Sequence, residues 1–262
     1  MVNKPLLQVK NVGIRFGGLK AVSDFNLEIH QGELIGLIGP NGAGKTTSFN
    51  LLTGVYVPTE GEILFNGKRL NGLAPYQVTR GGISRTFQNI RLFNELSVLD
   101  NVKVAYHSLA KHSMISSVLR LPSHFSGEKE MEEKSLEFLK LFELDQYKDE
   151  IAKNLPYGKQ RRLEIARALA AGPQLLLLDE PAAGMNHKET HDLMSLIAFV
   201  REKFNLTILL IEHDMNLVMG ICERIYVLDH GVLIADGTPE HIRNHPKVIE
   251  AYLGEEVPKD HA

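Results

Sequence analysis

Apolar and polar positions fall into two rhythms along this chain, and the change from one to the other organises it. Leu6 to Val12 and Phe25 to Ile29 alternate apolar with polar residues, and Gly17-Gly18 and His30-Gln31-Gly32 supply turns, so the N-terminal stretch predicts antiparallel strands. Glu33 to Ile38 is a short apolar run instead, with no room for an amphipathic helix. Leu175 to Leu178 and Thr207 to Ile211 read the same way. Each predicts a strand buried on both faces, as in a parallel sheet covered by helices. Helical spacing follows the first run, from Thr46 to a stop at Gly54. Glu60 to Gly67 predicts a further strand closed by an Asn66-Gly67 turn, and Ile83 to Gln88 a short strand ending in a polar residue.

From about Ser97 to Arg167 the period is helical. Ser97 is a good N-cap for Val98 to Ala105, and Glu130 to Leu144 carries Met131, Leu136, Phe138, Leu139 and Phe142 on one broad apolar face. Between them Met114, Ile115, Val118, Leu119 and Leu121 predict a short amphipathic helix stopped at Pro122, packed locally or against a partner. Leu155 begins a turn that becomes an amphipathic helix to Leu169. Ile225 to Gly237 predicts a hairpin about His230-Gly231, Pro239 opens a helical C-terminal segment, and Glu255 to Ala262 reads as a frayed end.

Composition narrows the class. With 262 residues, 44% hydrophobic and 23% charged, the chain is expected to be one globular domain with a helical insertion. A net charge of -3 gives no support for a nucleic-acid partner, which normally calls for a basic domain or stripe. The single Cys222 cannot form an internal disulfide, which fits a reducing compartment such as the cytoplasm. No stretch approaches the roughly 18 apolar residues of a spanning helix, so a membrane role is expected to come through a partner.

The chemistry starts at Gly39-Pro-Asn-Gly-Ala-Gly-Lys-Thr46, a GxxxxGK[ST] string between a buried strand and a helix. Gly39, Gly42 and Gly44 let loop N–H groups converge on phosphate oxygens at a helix N-terminus, where Lys45 would reach the β/γ-phosphates and Thr46 would bind Mg²⁺. A second potential anion site lies at the helix start around Gly158. Asp179 and Glu180 close the leucine strand at the edge where ligands bind in open α/β sheets, so Asp179 is placed to hold Mg²⁺ through water and Glu180 to activate a nucleophilic water. Other residues are ambiguous by themselves. His213 after its strand would more often be structural than catalytic, Gln88 is a solvated strand end or a Mg²⁺ or water ligand, and Phe16 is a hairpin aromatic or a platform for a base.

Taken in order, these parts resemble an ABC-type ATPase subunit over nearly the whole chain. Gly39 to Thr46 matches Walker A, Gln88 the Q-loop, Leu155 to Gln160 the signature segment, Leu175 to Glu180 Walker B with its following glutamate, and His213 the switch histidine. The resemblance implies a P-loop NTPase (RecA-like) core with an antiparallel β subdomain, formed by 1–87 and 168–262, and an inserted helical subdomain at 88–167. It implies ATP bound by Phe16, Gly39, Pro40, Asn41, Gly42, Ala43, Gly44, Lys45, Thr46, Thr47, Gln88 and Asp179, with Phe16 stacking on adenine. Mg²⁺ would be held by Thr46, Gln88 and, through water, Asp179. Lys45, Gln88, Glu180 and His213 would carry hydrolysis. Leu155, Pro156, Tyr157, Gly158, Lys159 and Gln160 would act on the ATP of the opposite subunit.

Partners follow from the same resemblance: a second ATPase subunit, homologous or identical, multi-span permease subunits, and indirectly a substrate-binding protein, with the chain on the cytoplasmic face of the membrane. Glu180-Pro-Ala-Ala-Gly-Met-Asn186, Leu155 to Arg167 and the ending Val248-Ile-Glu-Ala-Tyr-Leu-Gly254 look like the branch that takes up branched-chain amino acids; amide and urea uptake relatives share much of this pattern. The chain departs from the common LSGGQ signature at Pro156, Tyr157 and Lys159, losing the serine hydroxyl that contacts γ-phosphate. Asn186 stands where aspartate is usual. A soluble ABC protein of ribosomes or DNA would be expected to carry two cassettes or a long coiled coil, and a P-loop phosphotransferase would lack a signature helix.

Overall fold

The computed structural model describes residues 4–107 and 122–253. The segment expected to hold Met114 to Leu121 and the tail from Glu255 lie outside the described residues. Contacts divide the chain into two compact units, one of Met1–Ile83 and Gln174–Ala262, the other of Ser84–Pro173.

The first unit contains two sheets. Strands β1 (Leu7–Phe16) and β2 (Leu19–Ile29) pair antiparallel, and β1 also pairs with β4 (Glu60–Phe65), which turns at Asn66-Gly67 into β5 (Lys68–Arg69), giving the order β2-β1-β4-β5. β1 runs further than the alternation from Leu6 to Val12 suggests. A bulge absorbs the break in period: Asn11 sits at φ 47, its N–H donates to Asn26 Oδ1 at 2.9 Å, and pairing resumes at Val12. The second sheet has the order β10-β9-β3-β8-β7-β6, with β3 (Leu34–Ile38), β7 (Leu175–Asp179), β8 (Thr207–Ile211) and β9 (Arg224–Asp229) parallel, and β10 (Val232–Gly237) returning antiparallel through His230-Gly231. β3, β7 and β8 are buried at every residue, as their unbroken apolar runs require. β6 (Ile83–Arg85) is shorter than expected, and Gln88 lies three residues beyond its end, exposed in a bend.

Helix α1 (Lys45–Leu52) follows β3 and stops at Thr53-Gly54, with Gly54 at φ 72. Phe25, Phe49, Leu37, Leu177 and Leu209 are fully buried in one core between these layers. α2 (Pro75–Arg80) precedes β6, and the remaining helices of this unit are α6 (His187–Phe204), α7 (Met215–Ile221), α8 (Pro239–Arg243) and α9 (Pro246–Leu253).

In the second unit α3 (Val98–His107) packs on α4 (Pro122–Leu141) and on α5 (Tyr157–Ala170) around Val98, Val102, Leu139 and Leu163, all fully buried. Ser97 caps α3 as expected, its Oγ accepting from Asp100 N–H at 3.0 Å. Pro122 begins α4: a proline at the first helical position gives up an N–H that has no intrahelical partner and brings a φ already suited to the helix.

Candidate functional site

The site is built on one edge of the six-stranded sheet. β8 lies between β3 and β7, with Leu37 and Asp179 both in register with Ile211, so the turns after the three strands emerge side by side over about 10 Å. Those turns carry Gly39 to Gly44, then Glu180, then His213.

The phosphate loop is shaped by glycines where a Cβ would not fit. A Cβ on Gly39, at φ 150, would lie 2.0 Å from the Leu228 carbonyl oxygen, and Gly44, at φ 100, occupies the N-cap of α1 against Ala21 O. Gly44 has no side chain with which to cap the helix. Lys45 is buried and its ammonium donates to the carbonyls of Gly39 (2.6 Å) and Pro40 (2.9 Å), across the loop it belongs to. Thr46 and Thr47 follow in the first turn of α1. Phe16 pairs with Leu19 at the tip of the β1–β2 hairpin, whose Ala21 touches this loop. Phe16 is 44% exposed, and its ring meets Tyr56 edge-on at 5.1 Å, leaving apolar aromatic surface open.

Asp179 is 4% exposed at the end of β7. Glu180 next to it adopts φ 45, a left-handed conformation rare for glutamate, held by its N–H to Ile211 O at 2.9 Å. His213 Nδ1 lies 3.6 Å from Glu180 Oε2. The histidine side chain is 64% exposed and the glutamate 19%, so this pair borders solvent while Asp179 does not.

The second unit holds the other predicted residues. Leu155 is buried, Pro156 is the N-cap of α5, and Tyr157 and Gly158 begin its first turn. Lys159 lies with its ammonium 4.6 Å from the Tyr147 ring centroid, and Gln160 Nε2 donates back to Leu155 O at 2.7 Å. The guanidinium of Arg161, fully buried, donates to Phe87 O (2.7 Å), Gln88 O (2.8 Å) and Glu164 Oε2 (2.7 Å), while Glu164 Oε1 accepts from Arg91 N–H at 3.0 Å. The loop carrying Gln88 is thereby clamped to the helix that starts at the signature segment.

Residues 22–183 match the ABC transporter family, and residues 232–258 match the branched-chain amino acid ATP-binding cassette transporter family. The chain is 52% identical to the high-affinity branched-chain amino acid transport ATP-binding protein LivG of Escherichia coli, over 97% of this chain and all of that one. The chain belongs to the ABC transporter family. Among solved structures, the ADP conformation of MJ1267, an ATP-binding cassette of an ABC transporter, is 31% identical with a TM-score of 0.82, covering 95% of this chain and 99% of that one. The dimeric post-hydrolysis state of the cassette MJ0796, bound to ADP and Pi, is 28% identical with a TM-score of 0.74, covering 89% and 98%. The cassette therefore has the P-loop NTPase fold its sequence pattern predicts, binds nucleotide and hydrolyses ATP.

Several groups in this cassette's two units escape a reading of the sequence. Glu212 is fully buried beside His213, Arg161 and Glu164 form a buried pair on a helix that reads as polar at its start, and Asn186 caps α6, accepting from Lys188 and Glu189 N–H, both at 3.0 Å. The pair and the cap had local signals, the i,i+3 spacing of opposite charges and the Asn-x-x-Glu spacing of a capping box, but neither spacing tells that the pair is buried. Among the described residues no three His, Cys, Asp or Glu form a metal cluster, and no helix is long and apolar enough to cross a membrane.

Proposed function

We propose that this chain is the ATP-hydrolysing subunit of an importer that takes up branched-chain, hydrophobic amino acids, working on the cytoplasmic face of the membrane against multi-span permease subunits fed by a substrate-binding protein. The high identity to LivG along the whole chain supports the substrate class. The dimeric state of MJ0796 supports a pair of ATPase subunits, identical or homologous.

The observation that carries the mechanism is the Glu180 carboxylate, held in a left-handed turn 3.6 Å from His213 on the sheet edge that also carries the phosphate loop. Loop N–H groups from Gly39 to Thr47 and the Lys45 ammonium bind the phosphates; Phe16 stacks on the base. Mg²⁺ suits the remaining donors, since the Thr46 hydroxyl, the Gln88 side-chain oxygen and the Asp179 carboxylate are all hard oxygen ligands, the last acting through water. When bound, the ion neutralises charge on the β- and γ-phosphates. Glu180 accepts the proton of the attacking water, and His213 and Gln88 hold water and γ-phosphate in line. Residues 155–160 of the opposite subunit, with the N–H groups around Gly158, close over the same phosphates.

Two variants separate binding from chemistry. Lys45→Ala removes a positive charge from the phosphates and should weaken ATP binding, whereas Glu180→Gln keeps shape and should bind ATP and stall. Filter binding and phosphate release by the assembled transporter read the two steps. Wild-type hydrolysis by Glu180→Gln would remove Glu180 from the role of general base.

A further inference from the structure

Glu180 and His213 stand on different turns, one after β7 and one after β8. The ladder that pairs these strands ends at Asp179 and Ile211. One more backbone bond, from Glu180 N–H to Ile211 O at 2.9 Å, fixes the start of the first turn, and beyond it the backbone of both turns is irregular. Glu212 bridges them. Through one carboxylate oxygen it accepts from Ala182 N–H at 2.8 Å, two residues after Glu180. Through the other it accepts from His213 N–H at 3.1 Å and Asp214 N–H at 3.4 Å, with His213 Nδ1 3.8 Å away.

The group that makes this bridge is costly to place there. The Glu212 side chain is wholly out of solvent, and burial pushes its carboxyl above the ordinary carboxylate range even though three backbone N–H groups and His213 favour the charged form. Geometry rewards the cost: a carboxylate has two oxygens on one rigid plane, so one side chain can serve donors from two loops thirty residues apart. Asp214, held by the same carboxylate, caps α7 by accepting from Asn216 N–H at 2.9 Å, which extends the clamp into the next element.

We infer that Glu212 is a positioning residue for ATP hydrolysis, setting the Glu180–His213 separation by tying the turn after β7 to the turn after β8. The inference rests on the reading of Glu180 and His213 as the hydrolytic pair. Glu212→Gln preserves volume and one acceptor, but whichever way the amide is turned its NH₂ faces at least one backbone N–H donor, so the turns must move apart. In the assembled transporter kcat should fall on the order of ten- to a hundredfold, the scale of a misplacement of about 1 Å, with KM for ATP and nucleotide affinity unchanged. In a His213→Ala background, single-turnover hydrolysis should respond to Glu212→Gln by less than about twofold, because the distance being set no longer has its second member. Glu212→Asp, which keeps the charge but is one methylene short of Ala182, should lose less of kcat with the same unchanged KM and serves if the glutamine variant does not fold.

An unchanged kcat in Glu212→Gln or Glu212→Asp would overturn the inference. So would a loss of ATP affinity parallel to the loss of kcat, or an equal loss in both backgrounds, either of which would make Glu212 a prop of the fold. Wild-type hydrolysis by His213→Ala alone would instead overturn the hydrolytic reading, and this inference with it.

Discussion

At the scale of single residues, the clearest expectations concern groups whose surroundings are lopsided. Phe16 is wedged edge-on against Tyr56 while much of its ring stays in solvent, so Phe16→Ala should weaken ATP by about 1–3 kcal/mol, the range for stacking one base on an aromatic. Because every base offers a π-face, GTP should lose a similar amount. Titration with fluorescent nucleotide analogues checks both, and unchanged affinities would return Phe16 to the hairpin. Cys222 is the opposite case, buried, with burial pushing its thiol up to about 12. At neutral pH the native chain should resist iodoacetamide and react once urea unfolds it. Glu212 supplies a pH signature. Its raised carboxyl means that the folded chain binds this proton more tightly than the unfolded one, so the stabilisation is fully present below the ordinary carboxylate range and fades as pH rises through the raised folded value. Denaturation curves of Glu212→Gln, which has no such proton, should show a flatter pH dependence across that window.

At the scale of elements, helix α5 is where charge and burial meet. Arg161 and Glu164 are 0% and 1% exposed, and a buried ion pair adds little net stability but is expensive to break. Glu164→Ala should cost about 3–5 kcal/mol in urea unfolding, because it leaves an unpaired guanidinium inside the fold. The start of the same helix makes a different prediction. Pro156 is its N-cap, where the missing N–H loses no intrahelical bond, so Pro156→Ser should be tolerated, whereas Gly158→Asp should abolish hydrolysis in the complex by opposing the γ-phosphate while the isolated subunit still binds ATP. Phosphate release and filter binding decide it.

Elements also show what a reading of the sequence reaches. β3, β7 and β8 were legible because an unbroken apolar run needs no distant information, and so were the His230-Gly231 turn, at φ 45 and 79, and the Ser97 cap. The length of β1 was not, because a bulge hides the continuation of its period. Arg161 and Glu212 were beyond reach for another reason. Phe87 O and Gln88 O lie 74 and 73 residues from Arg161, and Ala182 N–H 30 residues from Glu212, so local spacing does not reveal that either side chain is buried.

At the scale of the whole molecule, strand order and chain order disagree. β3 belongs to the first forty residues, yet its neighbours are β8 and β9, encoded beyond residue 206. On a ribosome the phosphate loop is therefore made early and left without its flanking strands while roughly 180 further residues are added, which at about 5–20 residues per second is some ten to forty seconds. Its fully apolar strand spends that interval unpaired, an invitation to chaperones and a limit on how fast translation can usefully run. A nascent chain stalled at residue 205, lacking both neighbours of β3, should retain no ATP on a nucleotide resin, whereas one released after residue 253 should. In this protein the ability to bind fuel waits for strands encoded long after Walker A.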